Sequence, residues 1–292
     1  MNKKIIGIPK LFEEDYTLWT SFFNNLGYKT IEDKNIKPKP LNFPQNCLTK
    51  MTFPQKVVLA YIKALKNKCD YILIPYNLKI PQITNIFSYN QILNYHSKDP
   101  YHPLEFINMF KLGLKLTKNP FKITKSILIA KSKRRASNKR EQLLQTKMLK
   151  NSNPKILIVA NKFTIYNNYL TKPIITKLKS KKIDILYADK LNPQIAKIYG
   201  SKLYTNQFQK YSKKLLGAIY YYQYAVDGII LITSTLPDDN ISNLKELQQQ
   251  INIPIKNIHF DNITSKYKLE KEITHFLNSL TRRNCQLHRK YN

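Results

Sequence analysis

Glycine and cysteine are scarce in this chain, and acid is scarce relative to base. Its 292 residues include 6 glycines and 3 cysteines, and 18 Asp and Glu stand against 49 Lys and Arg, a formal charge of +31. Each shortage removes a class of chemistry. No Gly-x-Gly-x-x-Gly follows a predicted strand and no Gly-x-x-x-x-Gly-Lys-Ser/Thr occurs, so the turns that cradle a dinucleotide or a nucleoside triphosphate are not encoded. Cys47, Cys69 and Cys285 show no Cys-x-x-Cys spacing and are odd in number, which argues for a reducing, cytoplasmic setting rather than a disulfide framework. His96, His102, His259, His275 and His288 are scattered, so a zinc site is not expected, and His259 has no partner visible in the sequence. No apolar run approaches the roughly 18 residues that a spanning helix needs. Lys3-Lys4 leads only into a short strand interrupted by Gly7 and Pro9, so no signal peptide is expected either.

What is present suffices for a core. Hydrophobic residues make up 42% of the chain, and two domains are expected because single cores stop growing at about 250–300 residues. Residues 4–8 read as a short buried strand. Asp15 is placed to cap a helix in which Leu18, Trp19, Phe22, Phe23 and Leu26 recur at helical spacing and which Gly27 stops. A strand at 28–31, a helix at 55–66 and a strand at 71–75 follow. Residues 34–54 and 75–103 show little periodicity and read as loops. Helices are predicted over 104–118 and 123–150. From Lys155 the alternation restarts, with strands at 155–159, 183–187, 227–232 and 256–260 and helices near 170–180, 206–224, 241–250 and 267–280. Such alternation implies parallel sheets covered by helices. The expected fold is α/β, two Rossmann-like lobes with doubly wound parallel sheets: residues 1–118, a basic helical connector over 119–153, and 154–292 with a basic tail.

Particular residues carry more than the pattern. The first lobe contains Ile5-Ile6-Gly7-Ile8-Pro9-Lys10, then Trp19, Phe22-Phe23 and Leu26-Gly27, then Thr52-Phe53-Pro54-Gln55-Lys56. In the second, the strand from Lys155 leads into Ala160-Asn161-Lys162-Phe163 and Ile165-Tyr166-Asn167. Leu215-Leu216-Gly217-Ala218 then precedes Asp227-Gly228-Ile229-Ile230-Leu231 and Thr235-Leu236-Pro237-Asp238-Asp239. Phe260-Asp261-Asn262 and a helix from Glu270 to Leu280 complete the series. Over nearly its full length the chain resembles the activase-related proteins of the 2-hydroxyacyl-CoA dehydratase system. Those chains open with a strand ending Gly-Ile-Pro-Arg, a Trp–Phe–Phe–Leu–Gly helix and a Cys-x-Pro-x-Lys element, and later carry a Cys-Gly-Pro-Asp-Ser turn. Thr52 and Thr235 stand where the resemblance would put cysteines, and Glu272 where it would put Arg. The resemblance implies an iron–sulfur cluster in the relatives and an acyl-CoA enzyme or redox protein as partner. Without the two cysteines it implies a degenerate member, for which neither a cofactor nor catalysis is expected.

The residues then left to bind a ligand are Thr52, Pro54 and Lys56, Asn161, Tyr166 and Asn167 after the strand at 155–159, and Thr235, Pro237 and Asp238 after the strand at 227–232. Ligands of doubly wound sheets bind at the carboxyl ends of strands, where the last two groups fall. The plainer explanation is that the prolines end loops and that Asp238 and Asp239 cap a helix. A binding or structural module with a small-ligand cleft between the lobes is the leading expectation. One alternative is an iron–sulfur reductase or dehydratase component with unusual ligands. The other is a nonspecific polyanion or nucleic-acid binder using Lys131, Lys133, Arg134, Arg135, Lys139 and Arg140, set against a merely solvent-facing helix. Abundant Lys, Asn, Ile and Tyr fit an AT-rich coding bias, but that bias would enrich Asp and Glu too. The acid shortage is therefore left unexplained, and a field of this sign attracts nucleic acid, anionic membrane or acidic protein.

Overall fold

The computed structural model describes residues 3–8, 13–31, 53–75, 88, 91–95, 103–160, 164–165, 168–201, 210–233, 251–259 and 266–291. The chain divides into two compact units, Met1–Lys139 and Arg140–Asn292.

The first unit runs β1 (Ile5–Gly7), α1 (Glu13–Leu26), β2 (Lys29–Ile31), α2 (Phe53–Leu65), β3 (Tyr71–Pro75), β4 (Ile92–Tyr95), α3 (Pro103–Leu116) and the first two-thirds of α4 (Pro120–Leu149). Its four strands are parallel in the order β2-β1-β3-β4. Ile6, Ile8, Leu73 and Leu93 form one core with α1, α3 and α4, into which Trp19, Phe22 and Phe23 are buried with ring centroids 5.3–5.8 Å apart. On the opposite face Gly7 leaves room for Leu65, Cys69 and Ile72, whose side chains would collide with or crowd a Cβ there.

The helix ends follow local chemistry. Helix α1 starts at Glu13, so Asp15 lies inside it and is not the cap expected from sequence. It stops at Gly27, which has φ +96°, with Gly27 N–H donating to Asn24 and Tyr28 N–H to Phe23, both at 3.0 Å. This is the paired closure that a left-handed residue permits. Asn119 accepts from Lys122 N–H at 3.0 Å and Pro120 occupies the first helical position, which fixes the start of α4. Strand β4 lies in a stretch expected to be loop; four edge residues are too few to show a period.

The second unit contains the rest of α4, β5 (Lys155–Val159), α5 (Asn168–Ser180), β6 (Asp184–Tyr187), a 3-10 turn (Ala188–Lys190), α6 (Pro193–Gly200), α7 (Lys210–Tyr222), β7 (Gly228–Thr233), β8 (Ile255–His259) and α8 (Lys266–Tyr291). The strands are again parallel, in the order β6-β5-β7-β8. Both units are thus Rossmann-like α/β lobes with the same strand order. Helix α6 was not expected: Asn192 caps it through Gln194 N–H (2.9 Å), and Pro193 begins it. The helix expected at 241–250 lies outside the described residues.

The segment expected as a separate connector is shared out. Ile123, Ile127 and Ala130 belong to the first core, whereas Met148 and Leu149 pack on the second. Gln145 is buried, donating to the Tyr222 hydroxyl (3.2 Å) and accepting from Tyr187 N–H (2.6 Å).

An equivalent clasp closes each sheet at its amino edge. The Asp70 carboxylate accepts from Ile5 N–H at 2.7 Å while Asp70 N–H donates to Ile5 C=O at 2.9 Å. Asp227 repeats both bonds with Lys155, at 2.7 and 2.9 Å. In each lobe the residue before the third strand ties it to the start of the first.

Candidate functional site

In both sheets the strand order reverses at the pair of central strands, β1 and β3 or β5 and β7, and ligands of such sheets bind beyond the carboxyl ends next to that point. In the second unit this edge carries polar side chains. Thr233 ends β7 and is paired in register with His259, which ends β8. The Thr233 hydroxyl lies 2.9 Å from His259 Nδ1 and 3.3 Å from Asn257 Oδ1. A hydroxyl has one proton to give. Its donor and acceptor roles toward Asn257 and His259 therefore follow the tautomer of the imidazole. At the neighbouring end of β5, Ala160, Thr164 and Ile165 are buried, and the Thr171 hydroxyl donates to Ile165 C=O at 3.0 Å.

Thr52, Asn161, Tyr166, Asn167, Thr235, Pro237 and Asp238 lie outside the described residues. Pro54 and Lys56 lie in the first turn of α2, and their side chains are likewise outside. The Thr233–His259 pair was missed by sequence reasoning, because only the register of β7 with β8 brings together residues 26 apart. Glu272, which the resemblance sets against an Arg, pairs with Lys256 at 3.0 Å and ties α8 to β8.

Among the described residues no group of three or more His, Cys, Asp or Glu is placed to hold a metal ion. Cys69 is half-buried before β3, at the amino edge of the sheet, its thiol donating to Leu65 C=O at 3.3 Å. Burial pushes that thiol up to about 11, against the deprotonation that a cluster ligand requires. A cleft of about 370 Å³ opens beside it, lined by Lys66, Lys68, Gln91 and the already engaged Asp70. It too lies at the amino edge, away from where ligands of such sheets bind.

The basic stretch on α4 needs one correction. Arg134 was grouped with surface cations, but it is buried, its guanidinium donating to both oxygens of Glu105 at 2.8 and 2.9 Å. The helical stripe Ile123, Ile127, Ala130 points it at the core, where a charge persists only when paired. Lys131 also reaches Glu105, at 3.3 Å. Lys133, Arg135, Lys139 and Arg140 are exposed.

Residues 5–90 match the sequence profile of a family described as a CoA enzyme activase uncharacterised domain, which supports an activase-related first unit. No curated protein matches the chain. Among solved structures, a zinc-bound variant of AdcAII from Streptococcus pneumoniae is similar at 11% identity over 96% of this chain and 100% of that one, with a TM-score of 0.28. The laminin-binding adhesin Lmb from Streptococcus agalactiae aligns at 10% identity over 96% and 99%, with a TM-score of 0.32.

Proposed function

We propose that the chain is a cluster-free relative of the activase-related proteins of the 2-hydroxyacyl-CoA dehydratase system. In this reading it is a cytoplasmic, non-catalytic module that binds a small anion of the acyl-CoA class at the carboxyl ends of its strands. The observation that carries the proposal is the state of Cys69 within the segment that matches the CoA enzyme activase domain. Its thiol is held protonated and packed against Gly7, and Thr52 and Thr235 offer no soft, ionisable sulfur in place of cysteine. The excess of cations favours an anionic ligand, and Thr233, Asn257 and His259 provide hydrogen-bonding groups at the edge where one would bind.

Two measurements test the two halves of the proposal. Anaerobically purified protein should be colourless and iron-free; stoichiometric iron with charge-transfer absorbance would favour the alternative of an iron–sulfur component with unusual ligands. Titration with coenzyme A and a short acyl-CoA should raise the melting temperature, and Lys56→Ala and His259→Ala should each weaken that effect. Absence of any shift at millimolar ligand would overturn the binding half.

A further inference from the structure

Between Glu105 and Glu141 the chain has no acid at all, while residues 106–140 hold eleven Lys and Arg. Both bounding glutamates are engaged internally, Glu105 by Arg134 and Lys131 and Glu141 by the buried Lys190. The exposed lysines between them therefore have no acid in their own segment to offset them.

The same segment presents apolar side chains to solvent. Ile107 and Leu114, 45% and 49% exposed, stand two turns apart on the outer face of α3; Phe121 and Leu128, 86% and 59% exposed, do the same on α4. They are no part of the core stripe, which is formed here by Met109, Leu112, Ile123, Ile127 and Ala130. The turn at 117–119 is three residues long, so Leu114 and Phe121 sit at one end of a helical hairpin. Around them are the exposed Lys115, Lys118, Lys122 and Lys125.

We infer that this hairpin end docks on an anionic phospholipid surface. Charge complementarity and side-chain type select that occupant. Lysines next to a membrane each gain from negatively charged headgroups, while Phe and Leu enter the boundary of the acyl chains. Single-stranded nucleic acid would instead call for a row of aromatic platforms, and the hairpin end offers one aromatic ring among aliphatic side chains. No helix among the described residues is long and apolar enough to cross a membrane, so the contact is peripheral. It is independent of the ligand edge and of the cluster question.

Sedimentation of the full chain with vesicles tests the inference. The protein should bind vesicles of three parts phosphatidylcholine to one part phosphatidylserine and stay in solution with phosphatidylcholine alone. Replacing Lys118, Lys122 and Lys125 with Gln should weaken binding on the order of a hundredfold, about fivefold per lysine. Phe121→Ser should weaken it by roughly tenfold. The charge-matched triple Lys172, Lys179 and Lys181→Gln on the second unit should change it only a few-fold. All these positions are exposed, so an unchanged urea midpoint is expected and verifies folding. The inference is overturned if vesicles retain nothing, if the control triple loses as much as the hairpin triple, or if Phe121→Ser has no effect. It is equally overturned if the hairpin triple loses retention on DNA but not on vesicles.

Discussion

In the first lobe α1 holds its sheet with three interlocked aromatic rings, whereas in the second lobe α6 and α7 meet backbone to backbone. A methyl at Gly217 would overlap the Ala196 carbonyl oxygen and come within 2.7 Å of Gly200 N, and one at Gly200 would overlap the Lys213 carbonyl oxygen. Tyr199 packs beside this contact on Tyr220 and Tyr221, at 5.9 and 5.2 Å. The two lobes nevertheless share strand order, parallel register and the aspartate clasp. Their common features are those that order a sheet, and the helix packing above it varies in chemistry.

The largest test of that contrast is Phe23→Ala. Truncating a buried aromatic costs about 3–5 kcal/mol, so the urea midpoint should fall sharply. A small change would mean that the first lobe does not depend on its aromatic cluster. Gly217→Ala should cost about 1–3 kcal/mol, because the added methyl meets main chain that cannot rotate away. Gly217→Ala without effect would show that α6 and α7 separate easily.

Asp70→Ala and Asp227→Ala probe what the lobes share. Each removes one charge-assisted bond at a partly exposed strand start, worth about 1 kcal/mol after solvent screening. Similar losses are expected in both lobes; a loss confined to one would break the equivalence of the clasps. The stops of α1 and α5 offer a finer comparison. Lys182, with φ +54°, occupies in α5 the place that Gly27 holds in α1, and Ile183 N–H donates to Leu178 C=O as Tyr28 does to Phe23. A side chain in that conformation costs roughly 1 kcal/mol. Lys182→Gly should therefore stabilise and Gly27→Ala destabilise by about that amount, measured by thermal unfolding.

The last comparison shows itself only at alkaline pH. Burial raises the Cys69 thiol from 9.0 to about 11, and Tyr222 from 10.0 to about 12 despite the Gln145 contact. In each window the folded state keeps a proton that the unfolded state gives up, so stability declines as pH rises. For Cys69 the decline begins near pH 9 and ends near 11. Cys69→Ala should remove that limb from the pH dependence of the urea midpoint and leave the later limb due to Tyr222.

The central strands β1, β3, β5 and β7 were legible because each is a continuous apolar run bounded by turn residues. Strand β4 and helix α6 were not: the first has four edge residues, and the second has eight, whose start is marked only by Asn192-Pro193. Arg134 was misplaced for a readable reason. Carrying the spacing of Ile123, Ile127 and Ala130 one step further would have put it on the buried face. His259 was different in kind, since its partner Thr233 is set by strand register and no local pattern encodes it. The ligand-edge residues read from the family resemblance fall outside the described residues, and for them sequence is the source.

All six glycines lie among the described residues, and five of them have a neighbour that would stand at 3.0 Å or closer to an added Cβ. Only Gly27 is there for the sign of its φ. In a chain so poor in glycine, these positions act as a signature of close approach rather than of flexibility. A search for distant kin is therefore better keyed to Gly200 and Gly217 than to any cysteine, because a packing contact between main chains leaves no other side chain that fits.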